Sequence, residues 1–596
     1  MINNKFINKA ALLLLSGLFV GCSDFLDEKP QSSLSPDIYF NNDSEARIGV
    51  NAVYSTLKNN FVTGYDIKYV PTDLVLKPAW SMEEGLGDYT FSSSNDRLLK
   101  MWKNHYLAIK DCNTTIDAIE ANREKIPSAD RFIAEAKGVR AFLYFDIVRW
   151  YGDVPLVLHA ATSPNGDHLK VPRDESALVF QQIIDDLTFA SEHSVSKNEG
   201  EGYQYGRFSR EAALGLLAKV HLYIASITER DNKVYLEDAK THYKKAMDYA
   251  KQVIDKGGYK LTDYYPDMFD YQTEDKAQEE SLFSSVRMTG DGTGGYTGMV
   301  FGIMGEITKG GSWGMASSTD FHRSIYEESD SIRRLWNCPR VKIMPDGSLK
   351  GWDYPCYYQD LKPENEKNDG TTFSIGKFRR YPLVDPASYN YQNFGMDEPL
   401  LRFADILLIY AEAYNEFNQG PGAYTPSSSL TLDGKNIQSA YDAVNVVRKR
   451  ARIANKGTVH ADVMPRSYKY DNVDKVNECV PDWRPGFYGY YSNGMETYEY
   501  RGYSSDYQAF REEILWERAR EFVAETTDRW CDLTRRGILV EKLRDVRTTV
   551  VPALGKAERF LTPPSYPENV KEYHQLLPVP QSEIDSNDKL VQNPGY

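Results

Sequence analysis

The chain has 596 residues, 41% of them hydrophobic, and its mean hydropathy of −0.54 is that of a protein body exposed to water. This length accommodates two to four average domains, or one large scaffold with long insertions. The formal charge of −15 at pH 7 makes nucleic acids and anionic lipid surfaces poor partners, because both repel an acidic protein.

The first 22 residues predict export from the cytoplasm. Residues 1–9 carry two lysines and no acid, and the uncharged, mostly apolar residues 10–20 follow. This run is shorter than the about 20 residues that cross a bilayer, and it is typical of a signal peptide. Gly21-Cys22 then resembles a bacterial lipoprotein cleavage site, although Phe19 stands where leucine is usual. We predict that Cys22 becomes an acylated N-terminus; the alternative is a secretory signal with an incidental cysteine.

The remaining cysteines give no sign of a metal site. Their positions contain neither a CxxC pair nor a cysteine–histidine spacing typical of zinc ligands, so we expect no metal and no cofactor. Cys338 and Cys356 could form a disulfide, and buried thiols are an equally good interpretation.

Helical periodicity without proline recurs along the chain. The predicted helices are 43–60, 97–121, 130–151, 174–193, 209–228, 236–256, 400–418, 438–454 and 507–525. Helices 209–228 and 236–256 form one neighbouring pair, and 400–418 and 438–454 form another. Small residues in both pairs allow close helix contacts, which is typical of tetratricopeptide-type hairpins. None of these stretches is apolar enough to predict a membrane span.

Two long stretches lack this periodicity. Residues 258–399 contain dense glycine and many prolines, and residues 455–505 are rich in tyrosine and glycine. Long loops in compact domains are usually either binding surfaces or disordered, and the tryptophan and tyrosine content favours binding surfaces. The 42 tyrosines and 9 tryptophans of the chain suit a recognition surface, although helix packing accounts for most of them.

Residues 134–156, which read Ala-Glu-Ala-Lys-Gly-Val-Arg-Ala-Phe-Leu-Tyr-Phe-Asp-Ile-Val-Arg-Trp-Tyr-Gly-Asp-Val-Pro-Leu, resemble the signature of the SusD/RagB family of Bacteroidetes surface lipoproteins. Further matches follow in the family's order at 171–173, 206–207, 212–213, 401–402, 411–413, 445–451, 517–518, 529–533, 577–580 and 592–596. The resemblance covers nearly the whole chain. It departs at 526–528, where Thr-Thr-Asp replaces a shorter turn.

The resemblance implies a mainly α-helical, SusD-like fold in which tetratricopeptide-like hairpins carry long, irregular ligand-binding loops. It also implies attachment to the outer face of the outer membrane, and a SusC-like TonB-dependent transporter as partner. The cargo expected by resemblance is an oligosaccharide or polysaccharide, with peptides as the alternative. The expected segments are a signal peptide at 1–21, a lipidated tether at 22–42, a helical scaffold at 43–257, a loop-rich ligand-binding region at 258–399, a second scaffold part at 400–545 and a C-terminal tail at 546–596.

Most signature residues are predicted to be architectural. Charged residues within helical stretches more often fix helix ends and neighbouring helices than bind cargo. We assign this role to Arg140, Arg149, Arg448, Arg450, Glu517, Arg529 and Asp532.

Ligand contacts are expected from the irregular segments. A sugar presents C–H groups on its faces, which an exposed aromatic ring covers, and hydroxyls at its edge, which charged or polar side chains bind. The candidate ligand-binding residues are Asp73, Lys77, Trp80, Tyr296, Trp313 and Trp352. Each tryptophan has an alternative role as a buried plug that anchors its loop.

Catalysis is the main competing function. A glycoside hydrolase needs two carboxylates about 5–9.5 Å apart, and nothing in the spacing of the acids singles out such a pair. No HExxH or P-loop motif is present. The sequence therefore favours a binding protein over an enzyme, with a peptide-binding relative or a plain helical scaffold as further alternatives.

Overall fold

The computed structural model of the chain describes the residues in the following ranges, and all structural statements concern them. They are 40–58, 72–76, 83–161, 163, 166–269, 273–287, 317–319, 321–322, 325–326, 330–338, 340–342, 371–373, 375–378, 395–452, 480–491, 494–497, 502–525, 528–544, 546 and 566–596.

The fold is mainly α-helical, as the sequence predicts. The helices are α1 (Asp43–Thr56), α2 (Asp96–Ala121), α3 (Ala129–Tyr151), α4 (Ser176–His193), α5 (Arg210–Asp231), α6 (Ala239–Lys256), α7 (Glu274–Glu280), α8 (Ser331–Asn337), α9 (Phe403–Asn418), α10 (Ala440–Ala451), α11 (Asp506–Phe522), α12 (Asp528–Arg535), α13 (Leu539–Arg544), α14 (Tyr566–Asn569) and α15 (Gln581–Ser586). Single 3-10 turns occur at Glu83–Asp88, Arg123–Lys125, Asp167–Leu169, Lys197–Glu199, Tyr265–Met268, Ser427–Ser429 and Glu572–Gln575.

Short strands form two-stranded antiparallel sheets. The strands are β1 (Val75–Leu76), β2 (Ser281–Ser285), β3 (Ser317–Ser318), β4 (Arg340–Lys342), β5 (Thr371–Phe373), β6 (Glu398–Arg402), β7 (Phe487–Tyr491) and β8 (Gly494–Thr497). They pair as β1–β3, β2–β6, β4–β5 and β7–β8. The predicted helix at 400–418 starts later than expected, because residues up to Arg402 pair with β2 as a strand.

Polar side chains define where several helices begin. Asn95, Ser209, Asp238, Ser439 and Ser505 each accept a hydrogen bond from a backbone N–H group in the first turn of the following helix. Such caps satisfy N–H groups that have no partner inside the helix. The starts predicted from helical periodicity lie within a few residues of these positions.

Consecutive helices pack against each other along the scaffold. α2 packs on α3, α3 on α4, α4 on α5 and α5 on α6. α6 then packs on α9, which also contacts α10 and α11. The two predicted hairpins, α5 with α6 and α9 with α10, are therefore confirmed. The described parts of 258–399 do not stand apart, since Tyr265, Trp336 and Ile375 share a buried apolar cluster with Ala519 of α11.

α5 corrects one expectation from the sequence. It is long and apolar enough to cross a membrane by length and composition, but 89% of its apolar window is buried inside the protein. Its apolar character therefore reflects its place at the centre of the scaffold, packed between α4 and α6.

Gly138 marks the closest approach between α3 and the segment before α5. A Cβ atom at this position would lie 2.2 Å from Cδ1 of Phe208, whose ring packs edge-on against Phe283 at 5.1 Å between centroids. A side chain here would have to displace a ring that is itself fixed in the core.

We expect Gly138→Ala to lower the free energy of unfolding by about 1–3 kcal/mol, the usual cost of overpacking a core. Urea unfolding of the purified protein measures this change. Gly420→Ala is the matched control, because a Cβ atom at Gly420 meets no other atom within 4 Å. Equal stability of the two variants would contradict the close packing of Gly138.

A buried histidine pair joins α5 to α6. Nδ1 of His221 lies 2.8 Å from Nδ1 of His242, and Nε2 of His242 lies 3.0 Å from the carbonyl oxygen of Tyr235. If His242 donates to Tyr235, its Nδ1 accepts from His221, so we assign both rings as neutral. Burial, with His242 and Lys245 nearby, lowers the pKa of His221 to about 3, and burial lowers the pKa of His242 as well.

The pair predicts a loss of stability as the pH falls below about 6.5, the ordinary histidine pKa. The unfolded chain takes up protons there while the folded pair stays neutral, so the free energy of unfolding falls, by up to about 1.4 kcal/mol per pH unit for His221. We expect His242→Gln to show a shallower pH dependence of urea unfolding between pH 4.5 and 6.5. His193→Gln, at the surface end of α4, is the control and should keep the wild-type slope. A wild-type slope in His242→Gln would show that the pair does not resist protonation.

Candidate ligand-binding site

The strand pair β1–β3 lies next in sequence to two of the predicted ligand-binding tryptophans. Val75 pairs with Ser318 and Leu76 with Ser317, in antiparallel orientation. Trp80 follows Leu76 by four residues, and Trp313 precedes Ser317 by four residues. Because the strands are antiparallel, the two segments that carry these tryptophans leave the same end of the strand pair.

Most of the predicted ligand residues lie outside the described residues. These are Lys77, Trp80, Tyr296, Trp313 and Trp352, together with the predicted lipidation site Cys22. Their roles stay predictions.

Asp73 is described, and its place revises the expectation that it binds ligand. Its exposed fraction is 2%, and both carboxylate oxygens accept hydrogen bonds from the guanidinium of Arg529, one of them over 2.8 Å. Arg529 also donates to the carbonyl oxygen of Leu515 in α11, over 2.8 Å. The carboxylate that was expected to face a sugar instead fixes the segment to the helices.

Ser318 of β3 belongs to a buried polar cluster with His322, Tyr326 and Cys338. The sequence did not indicate this cluster. Nδ1 of His322 lies 2.8 Å from Oγ of Ser318 and 3.0 Å from Sγ of Cys338, and Nε2 lies 3.0 Å from the hydroxyl of Tyr326. Burial lowers the pKa of His322 to about 3, so the ring is neutral at pH 7. Cys338 is buried in this cluster; Cys356 lies outside the described residues, so their pairing stays a prediction.

A larger cluster of buried charges surrounds α11. We call it the charge cluster; its members are Glu280, Arg333, Lys377, Arg402, Arg448, Arg450, Glu517, Glu521 and Glu525. Arg333 binds Glu517 at 2.7 Å, and Arg402 binds Glu521 at 2.9 Å. The cluster therefore ties α8 and β6 to α11.

The electrostatics of the charge cluster keep Glu521 and Arg402 ionised. Burial alone would raise the pKa of Glu521, but Arg450, Arg402 and Arg333 lower it to about 2. Burial would lower the pKa of Arg402, but Glu525, Glu521 and Glu280 hold it well above its usual value. A carboxyl group with a pKa near 2 is ionised at neutral pH and is a poor general acid, so Glu521 serves architecture.

The other signature residues are architectural as predicted. Arg140 of α3 makes two hydrogen bonds, of 2.8 and 2.9 Å, to the carboxylate of Asp186 in α4. Arg149 lies 3.6 Å from Asp528, at the start of α12. Arg518 of α11 binds Asp532 of α12 at 2.7 Å. These contacts join neighbouring elements of the scaffold.

A small cavity of about 20 Å³ lies between α3, α5 and the β2–β6 sheet. Phe142, Phe208 and Phe283 line it together with Lys219. Lys219 is bound to Asp405 at 2.9 Å and to an aspartate of α12 at 2.8 Å. Because this cationic group already has two carboxylate partners, we interpret the cavity as part of the scaffold core and not as the ligand site.

Histidine, cysteine and acidic side chains nowhere gather into a group suited to a metal ion in the described part of the chain. The histidine–cysteine contact of His322 and Cys338 is accompanied by the hydroxyl groups of Ser318 and Tyr326.

Comparison with known proteins places this architecture in a family. The sequence model of the SusD family matches residues 344–596, and a SusD-like model described as "Starch-binding associating with outer membrane" matches residues 24–222. SusD-like protein P25 of Formosa agariphila is 23% identical over 609 residues, which cover 96% of each chain. The chain belongs to the SusD family.

Solved structures of SusD-like proteins share the fold. A SusD homologue from Bacteroides thetaiotaomicron has a TM-score of 0.70 at 22% identity, covering 94% of this chain and 98% of that chain. A laminarin-binding SusD-like protein has a TM-score of 0.60 at 19% identity, covering 93% of this chain and 100% of that chain.

In this SusD-like chain, Arg402 has three carboxylate partners in the charge cluster, Glu280, Glu521 and Glu525. We expect Arg402→Met to lower the free energy of unfolding by about 3–5 kcal/mol, because it leaves buried carboxylates without their cation. Thermal and urea unfolding measure the loss.

Arg123→Met is the control for this prediction. Arg123 binds Glu120 and Asp130 at the surface, where its side chain is 43% exposed. Exposed pairs contribute about 0–1 kcal/mol, so this variant should remain close to wild type. A small loss in Arg402→Met would show that the charge cluster does not hold the fold.

Proposed function

We propose that this SusD-like protein is a cell-surface lipoprotein that binds an oligosaccharide or polysaccharide and delivers it, unaltered, to a SusC-like TonB-dependent transporter. The observation that carries the proposal is the β1–β3 strand pair, since the segments bearing Trp80 and Trp313 leave the same end of it. The starch-binding description of the matched family and the laminarin-binding relative support a glycan as the ligand.

The chemistry of the site is stacking of aromatic rings on sugar faces. Trp80, Tyr296 and Trp313 supply the rings in the proposed site, and Trp352 offers a further one. Lys77 supplies a charged donor for hydroxyl groups at the edge of the sugar. Asp73 does not contact the ligand in this proposal, because its carboxylate is bound to Arg529.

The magnitudes favour capture and release over tight retention. Each stacked ring buries roughly 100 Å², worth about 2.5 kcal/mol as an upper figure. Three rings give roughly 7 kcal/mol, and association costs at least about 4 kcal/mol. The remainder, with some hydrogen bonds, corresponds to dissociation constants in the micromolar to millimolar range. A protein that hands cargo to a transporter needs release as much as binding.

The predicted acyl chains on Cys22 attach the protein to the outer membrane. Several acyl chains, at about 0.8 kcal/mol per buried methylene, make such an attachment effectively permanent. Residues 22–42 form the tether in this proposal, and α1 of the scaffold begins at Asp43. The tether keeps the ligand site near the transporter that receives the cargo.

The central test is binding of the full chain, purified in detergent, to an array of soluble glycans that includes starch and laminarin. We expect Trp80→Ala and Trp313→Ala each to weaken binding at least tenfold, because one stacking surface is lost, with little change in melting temperature. Isothermal titration calorimetry measures the affinity.

Tyr573→Ala is the control for loss of an aromatic ring, since Tyr573 is 39% exposed in the C-terminal tail, away from the β1–β3 pair in sequence. It should bind as the wild type does. Normal binding by both tryptophan variants would contradict the proposed site. Binding to peptides and not to glycans would indicate a peptide-capturing protein, and turnover of a glycan would indicate a hydrolase.

A further inference from the structure

The β1–β3 pair needs support from outside itself. Each strand has only two residues, and so short a ladder is not stable alone in water. The position from which the two tryptophan segments leave must therefore be fixed by other contacts.

Asp73 makes two such contacts, one through its side chain and one through its backbone carbonyl. Its side chain binds the guanidinium of Arg529, at the start of α12. Its carbonyl oxygen accepts a hydrogen bond from the hydroxyl of Thr319, over 2.5 Å, directly after β3. The backbone N–H of Thr319 in turn donates to the carbonyl oxygen of Leu74, over 3.1 Å. One residue thus connects β1, β3 and the helices.

Arg529 is itself held on the helical scaffold. Its guanidinium donates through Nη1 to Leu515 of α11, and through Nε and Nη2 to the two oxygens of Asp73. A guanidinium and a carboxylate bound through two parallel hydrogen bonds fix both distance and relative orientation. Asp73 and Arg529 are 456 residues apart in sequence, so this contact is specific to the folded chain.

We propose that Asp73 and Arg529 are positioning residues of the ligand site. Their ion pair fixes the end of β1 against the helices, and with it Leu76 and Ser317, from which the segments that carry Trp80 and Trp313 leave. Two rings engage one glycan together only when their spacing matches the sugar repeat, so loss of the pair lowers affinity through geometry. This inference depends on the proposed function, because it assigns the pair to the same site.

A buried ion pair of this kind is not required for stability alone. Apolar residues of similar volume often replace buried ion pairs without loss of stability. The pair formed by Arg140 and Asp186 provides the comparison, since it is equally buried and also bound through two hydrogen bonds, but joins two helices of the scaffold.

The experiment compares Asp73→Asn and Arg529→Lys with the matched control Asp186→Asn, all in the full chain. Hydrogen exchange is measured in peptides that cover 72–76 and 317–319. We expect exchange to become at least tenfold faster in both segments for Asp73→Asn and Arg529→Lys, and to stay at the wild-type rate there for Asp186→Asn. Wild-type exchange in both segments of Asp73→Asn would overturn the proposal.

Affinity for starch and laminarin is measured on the same proteins by calorimetry, at a temperature where circular dichroism shows all of them folded. We expect Asp73→Asn and Arg529→Lys to bind at least tenfold more weakly, and Asp186→Asn to stay within twofold of wild type. Unchanged affinity in Asp73→Asn, or an equal loss in Asp186→Asn, would overturn the positioning role. A wild-type protein that binds no glycan on the array contradicts the proposed function. In that case, the hydrogen-exchange comparison by itself tests whether the ion pair stabilises the β1–β3 pair.

Discussion

The structure depends on the pairing of buried charges on α11. Glu517 binds Arg333 and Arg448, and Glu521 binds Arg402 and Arg450. Each of these side chains has an exposed fraction of 2% or less, so an unpaired charge would be very costly. Elements that are far apart in sequence must therefore meet at this helix. The described parts of the loop-rich region are held to the scaffold in the same way.

Local sequence predicts the scaffold well and the charge cluster poorly. α9 was expected from its apolar periodicity, and its N-terminal limit moved only because Arg402 and the residues before it pair with β2. α12 was not predicted, since its eight residues are too few to show a periodic pattern, and its buried residues include the charged Asp528, Arg529 and Asp532. Burial of a charged residue depends on a partner that may be hundreds of positions away.

Asp73 shows the same limit at the candidate site. Its loop placed it beside Lys77 and Trp80, and an acid in such a loop is a reasonable sugar ligand. Its role depends on its partner Arg529, and no local sequence pattern predicts that the two residues are in contact. The pairing of β1 with β3 was equally unpredictable, because two-residue strands carry no period, yet this pairing places Leu76 and Ser317 side by side.

The division of work in the molecule follows from these contacts. Paired helices and buried ion pairs form a fixed support, and the aromatic segments that start from it are proposed to contact the cargo. In such an arrangement, the residues in the aromatic segments determine which ligand is bound. The signature residues of the SusD family stabilise the helical support. Loss of support and loss of ligand contact are then separable effects.

The most direct measurement is a crystal structure of the protein with a bound oligosaccharide chosen from the glycan array. The account predicts that sugar rings lie against Trp80 and Trp313, next to the end of the strand pair formed by Leu76 and Ser317. Sugar bound instead to the helical hairpins, with both indole rings buried away from it, would contradict the account.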